Sequence, residues 1–149
     1  MCCEDSQTVN KAIKILEKKI KKPNSFIQSP DDVVNILRLR AFHHDREVFT
    51  VVFLNSSHGV ISVEDMFHGT LTCSPVYIRE IIRRALLLNA HGIIVSHNHV
   101  SSGKSDPSGA DGVLTTRIKA ACDLMEIKFL DHIIIGDDNY FSFANKGLI

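Results

Sequence analysis

His97 and His99, two residues apart, stand at the end of the apolar run Gly92-Ile93-Ile94-Val95, and a polar loop leads from them to Ser108-Gly109-Ala110-Asp111. Imidazoles and a carboxylate are ligand types that hold zinc, and a catalytic zinc site uses three protein ligands and keeps a fourth position open for water. Side chains alternate faces along a strand, so residues two apart point the same way there and diverge on a helix. The pair is therefore expected on extended backbone. Eight histidines in 149 residues would supply such a pair about 0.4 times by chance, so its surroundings must carry the assignment.

Two aspartates compete to be the third ligand. Asp111 falls in the first turn of an expected helix directly after the loop from His99, and Ser108-x-x-Asp111 also has the pattern of a capping box. Asp106 is nearer in sequence but precedes Pro107 in a polar turn that includes Ser101-Ser102-Gly103-Lys104-Ser105. A ligand gains from rigid support, which ranks Asp111 first. His43, His44, His58 and His68 sit in connections and turns and read as surface or local hydrogen-bonding residues. His132, after Asp131 at the head of an apolar strand, reads either as a brace for a ligand or as half of a structural Asp-His pair.

The elements that must position these residues follow from periodicity. Val9, Ala12, Ile13, Leu16 and Ile20 share one face of a lysine-rich amphipathic helix over 8–22, ended by Pro23-Asn24-Ser25. Ser29-Pro30-Asp31-Asp32 opens a second helix over 30–40. The nearly continuous apolar stretch 47–54 predicts a strand covered on both faces and central in its sheet. Asn55-Ser56-Ser57-His58-Gly59 turns it into a hairpin partner over 60–67, with a third short strand at 69–73. A helix introduced by Ser74-Pro75 and ending near Asn89, a buried strand over 92–96, a helix over 108–126 and strands at 128–135 and 140–143 complete the chain. Helices interleaved with hairpins give a mixed sheet, hence a three-layer α/β (α+β) sandwich.

Composition narrows the rest. The length fits one ordinary domain and the 44% apolar content a normal core. Seventeen basic residues balance seventeen acidic ones, so no global charge draws the chain to nucleic acid or membrane. Cys2, Cys3, Cys73 and Cys122 show no framework spacing and read as reduced thiols. With no apolar run near about 18 residues and no apolar leader, a cytoplasmic protein without a membrane partner is expected.

In the order Glu47, His97-Asn98-His99 and Ser108-x-x-Asp111, the sequence resembles the JAMM motif of the MPN metallopeptidase family, most closely its RadC-like branch. Cys73 to Glu80 leading into Arg83-Arg84-Ala85-Leu86, Ser96 to His99, and Asp131 to Gly136 ending in Tyr140-Phe141-Ser142-Phe143 also resemble that branch. The resemblance covers 29–149, leaving 1–28 as an amino-terminal basic helix and linker. It implies an MPN/cytidine-deaminase-like sandwich, Zn²⁺ on His97, His99 and Asp111, Glu47 as general base and Ser108 as oxyanion donor. The implied reaction is hydrolysis of a peptide or isopeptide amide bond in a peptide or protein substrate. Glu64 is a rival base by chemistry alone, inside a hairpin strand and at no motif position.

Two departures stand out. Eight residues, Val100 to Pro107, separate His99 from Ser108 where the family has seven, and Val100 replaces the usual proline. The reach of Asp111 to the histidines depends on that loop. Full RadC proteins resemble this chain only in their carboxyl half and carry a helix-hairpin-helix region before it, so a short stand-alone form is expected. Two other readings are a DNA-repair or nucleic-acid-binding accessory protein using the amino-terminal lysines, and a non-catalytic metal-binding scaffold. The sequence indicates no oligomeric state.

Overall fold

A computed structural model of the chain describes residues 3–20, 31–69, 75–100 and 102–149. Among these residues nine elements follow one another: α1 (Cys3–Ile20), α2 (Asp31–Phe42), β1 (Val48–Leu54), β2 (Val60–His68), α3 (Ile78–Leu87), β3 (Gly92–Asn98), α4 (Gly109–Leu124), β4 (Lys128–Ile135) and β5 (Tyr140–Ser142). The five strands form one mixed sheet in the order β2-β1-β3-β4-β5. Only β3 and β4 run parallel; the other neighbours are antiparallel.

Alternation along the strands sorts the core into two layers. Val52, Leu54, Ile94, Ile133 and Ile135 meet Val33, Val34, Ile36 and Leu37 of α2 and Ile13 of α1. Phe49, Val51, Phe53, Ile93 and Val95 meet Ile81 and Ala85 of α3 and Ile118 and Cys122 of α4. The expected three-layer sandwich with a mixed sheet is present. Both β1 and β3 are buried along their whole length, which is why they read as continuous apolar runs. The central strand is β3; β1 is interior beside it.

Several boundaries differ from the sequence expectations. Helix α1 begins five residues earlier than the apolar periodicity indicated, with Glu4 and Asp5 in its first turn, where acidic groups complement the helix dipole. Helix α3 starts at Ile78, behind Tyr77, whose side chain makes no capping bond, so Pro75 lies before the helix rather than in its first turn. The end of the first helix at Pro23, the Ser29-Pro30 cap, Ser74 and the third short strand at 69–73, apart from Gly69, lie outside the described residues. Cys122 is buried, and burial pushes its thiol up to about 11, which makes it an inert core group. Among the described residues no helix is long and apolar enough to cross a membrane.

Topology dictates where chemistry can gather. A parallel β3–α4–β4 crossover must leave the carboxyl end of β3 and enter α4 by its amino end, bringing both to one edge of the sheet. Because β1 is antiparallel to β3, its beginning lies at that same edge, with Phe49 opposite His97.

Candidate metal centre

His97 is the penultimate residue of β3, and its side chain points to the α4 side, on the same face as Val95 and Ile93. His99 follows just beyond the strand, two residues on and so on the same face. The strand geometry expected for the pair is thereby realised: the two Nε2 atoms lie 2.9 Å apart. His97 is nearly enclosed and its ring stacks at 12° on Phe49, with centroids 6.1 Å apart.

Asp111 arrives from the first turn of α4. Ser108 caps that helix by accepting the Asp111 amide at 3.1 Å, and the Asp111 Oδ2 accepts the Ser108 amide at 2.7 Å, a complete capping box. The same carboxylate meets both histidines, Oδ1 at 3.1 Å from His97 Nε2 and Oδ2 at 3.2 Å from His99 Nε2. Cap and ligand were alternative readings of Asp111; its carboxylate completes the cap and also faces both histidines.

The eight-residue loop does not prevent this meeting. Gly103 adopts a φ of +62°, a left-handed turn in which its amide bonds the His99 carbonyl at 2.9 Å. Its own carbonyl accepts the Asp137 amide at 2.8 Å, and Ser105 Oγ donates to Asn139 Oδ1 at 2.7 Å. The loop is thus stitched to the β4–β5 turn, and it delivers Ser108 and Asp111 to the edge where the histidines stand. Asp106 is exposed on the loop and outside the cluster.

His97, His99 and Asp111 form the one group among the described residues whose ligand atoms converge closely enough to hold a metal ion, all within 4.8 Å of one another. Donors each about 2.1 Å from a tetrahedral ion stand about 3.4 Å apart. The observed separations of 2.9, 3.1 and 3.2 Å come within a few tenths of an ångström of that. The donor set also asks for a cation: two imidazole nitrogens and a carboxylate bring lone pairs together, and only metal or protons between them relieve the crowding. The residues fit a divalent metal ion.

The electrostatics agree with that demand. Burial raises the Asp111 carboxyl, but hydrogen bonds from His97 and His99 outweigh it and hold the group well below the usual carboxylate range. Hydrogen bonding to Asp111 raises His99 against the opposing effect of burial. Glu47, just before β1 and half-buried, is raised first by burial, against the lowering influence of His97 and His99, with Asp111 adding to the rise. Glu47 thus lies within electrostatic reach of all three metal-binding candidates. Continuing the β1–β3 register by two residues from the Phe49–His97 pair sets it opposite His99.

The other sequence candidates have different places. Glu64 is held by Arg84, whose Nε and terminal nitrogen approach its oxygens at 2.8 to 3.1 Å. His44 sits 3.3 Å from Asp65, and His58 occupies the β1–β2 turn at a φ of +61°. A groove of about 390 Å³ opens on the α2 side of the edge, lined by Arg38, Phe42, His44, Asn98, His99 and Asp137 among others.

Two contributors, Asn98 and Thr115, were not assigned from sequence, and a third, His132, carried two readings there, a brace for a ligand or half of a structural Asp-His pair. Asn98 Oδ1 accepts the Val48 amide at 2.8 Å and its Nδ2 donates to the Arg46 carbonyl at 3.1 Å. His132 is fully buried with its Nε2 2.9 Å from His97 Nδ1, and Thr115 Oγ1 lies 2.6 Å from His132 Nδ1. Burial, then the neighbouring His97, pushes His132 down to about 3, so its ring is neutral near pH 7. The Asp-His pairing is corrected in one respect. Neighbours on a strand point to opposite faces, so the Asp131 carboxylate meets not the His132 ring but Ser142 Oγ and the amides of His132 and Ala144.

Comparison with known proteins matches residues 27–148 to the model of the RadC-like JAB domain. A UPF0758 protein of Actinobacillus succinogenes is 52% identical over 104 residues, which is 70% of this chain and 47% of that protein. One from Histophilus somni is 50% identical over 121 residues, 81% of this chain and 54% of the relative. Another, from Pasteurella multocida, is 41% identical over 134 residues, 90% and 59% of the two chains. The chain spans about half the length of the curated relatives it matches. With the histidine pair, the carboxylate and the strand order already in place, a match running from residue 27 to residue 148 makes the chain a member of the RadC-like JAB domain family.

Proposed function

We propose that this chain is a zinc-dependent hydrolase of peptide or isopeptide amide bonds, with His97, His99 and Asp111 holding the ion. Zinc at such a site supplies a Lewis acid that polarises the scissile carbonyl and lowers the pKa of water in its open position. The observation that carries the reading is the convergence of three ligand atoms at the sheet edge with Glu47 beside them.

Glu47 takes the proton of the attacking water and returns it to the leaving amine. A carboxylate within electrostatic reach of His97, His99 and Asp111 is placed to carry that proton between the two steps. The exposed Ser108 hydroxyl, whose oxygen accepts the Asp111 amide, retains its hydrogen for the carbonyl oxygen as negative charge develops there. Burial of His97 and Asp111 limits water around the reacting groups.

The test combines zinc analysis of the purified chain with cleavage of a panel of linked peptides. About one zinc per chain is expected, lost in His97→Ala and in Asp111→Ala. Glu47→Gln should keep the metal and lose turnover. Zinc retained in full by both ligand variants rejects the site. Zinc-loaded protein that cleaves no more than a chelator-treated control rejects the hydrolase and leaves a metal-binding scaffold.

A further inference from the structure

We propose that His132 is a positioning residue that fixes which ring nitrogen of His97 faces the Asp111 carboxylate, through a hydrogen-bonded chain that returns to Asp111 itself. The inference rests on the metal reading above and adds to it residues on β4 and α4 that touch no ligand atom of the cluster.

The chain can be followed atom by atom. His97 presents Nε2 to Asp111 Oδ1 and to His99 Nε2. With a cation on that nitrogen, the single hydrogen of a neutral imidazole is confined to Nδ1. Nδ1 lies 2.9 Å from His132 Nε2, which must then be the bare, accepting nitrogen of its ring. The hydrogen of His132 is thereby confined to its own Nδ1, which lies 2.6 Å from Thr115 Oγ1. Thr115 Oγ1 accepts it and directs its one hydrogen to the Asp111 carbonyl at 2.7 Å. Every donor in the series meets one acceptor, and the series runs from one metal-binding candidate to the residue that supplies another.

Burial makes this arrangement consequential. His132 is 0% exposed, Thr115 2% and His97 3%, so water is not at hand to replace a missing partner. His132 is also held flat against Phe143, with ring centroids 5.0 Å apart at 11°, which fixes the direction in which Nε2 points. The chain spans β3, β4 and α4, the three elements of the parallel crossover, and therefore sets the distance between the strand that carries the histidines and the helix that carries the carboxylate. In the opposite direction, with hydrogen on His132 Nε2, His97 Nδ1 would be bare and its hydrogen would occupy the nitrogen that faces Asp111.

Nitrogen-15 NMR of the zinc-loaded chain reports which ring nitrogens carry hydrogen. Protonation of His132 and His97 at Nδ1 is the expected pattern; hydrogen on His132 Nε2 overturns the inference. Zinc affinity, read by chelator competition, should fall about 10- to 100-fold in His132→Leu. It should recover substantially in His132→Gln, whose amide oxygen can accept from His97. Thr115→Val, close to isosteric, should lower affinity by a smaller factor and keeps the test open should His132→Leu fail to fold. Wild-type affinity in all three variants overturns the inference and leaves the metal site standing. No zinc uptake by the wild type removes the metal site and this inference together.

Discussion

Asn98 holds the backbone on both sides of Glu47, accepting from the Val48 amide and donating to the Arg46 carbonyl. It is the middle residue of the His97-Asn98-His99 stretch and points to the opposite face from its two neighbours, so three consecutive residues supply two metal-binding candidates and the clamp on the proposed base. Asn98→Ala leaves the buried Val48 amide without its partner, at a cost of about 1–3 kcal/mol. Displacement of Glu47 should lower turnover by about 100-fold, while zinc affinity stays within a few-fold of wild type. Titration with a chelating dye beside a peptide-cleavage assay separates the two effects; equal losses of metal and turnover would count against the clamp.

Asp111 can be dissected because it has two tasks. Asp111→Asn keeps an oxygen for the Ser108 amide, whereas Asp111→Ala removes it and should cost about 1 kcal/mol more in metal-free stability through the weakened helix start. Both should bind zinc far less tightly than wild type. Denaturant melts of the metal-free variants check the difference.

The layers and ligand types were legible because they are local properties. Apolar runs bounded by turns marked β1 and β3, and the capping pattern at Ser108 put Asp111 in a first helical turn, on a firmer support than Asp106. Relations between strands were not legible. That Glu47 lies opposite His99 follows from antiparallel pairing of β1 with β3, and that His132 touches His97 follows from parallel pairing of β3 with β4, in which Val95 sits beside His132. Neither pairing leaves a trace in spacing along the chain. The adjacency of Asp131 and His132 even pointed the wrong way, since strand neighbours face apart. The longer loop could be counted from sequence, but its accommodation depends on bonds from Gly103 and Ser105 to the β4–β5 turn.

Zinc should stabilise the fold by mass action, because His97, His99 and Asp111 come together only in the native chain. At free zinc about 100 times the dissociation constant the gain is about 2.7 kcal/mol. Thermal midpoints with zinc and with chelator should differ accordingly, and His97→Ala should abolish the difference.

Asp65 offers a pH test away from the metal-binding candidates. Burial raises its carboxyl, but Arg40 at 3.1 Å, with the Thr50 hydroxyl and His44, brings it below its ordinary value. A folded value below the unfolded one of about 3.9 gives stability that is present above that pH and lost as pH falls through the folded value. Asp65→Asn should therefore lower the thermal midpoint at pH 7, by on the order of 1 kcal/mol in stability, and the gap should narrow below about pH 4. A gap that stays constant down to pH 2 would show that ionisation of Asp65 is not its source.

The Ser108–Asp111 capping box bears on how relatives can be compared. A descendant that had abandoned metal would still have reason to retain the serine and the aspartate, because they start α4 whether or not an ion is present. Retention of that pair is therefore a poor marker of chemistry in a homologous sequence. His97 and His99, which cap nothing, are the positions whose loss would announce that a lineage had given up the proposed metal while keeping the fold.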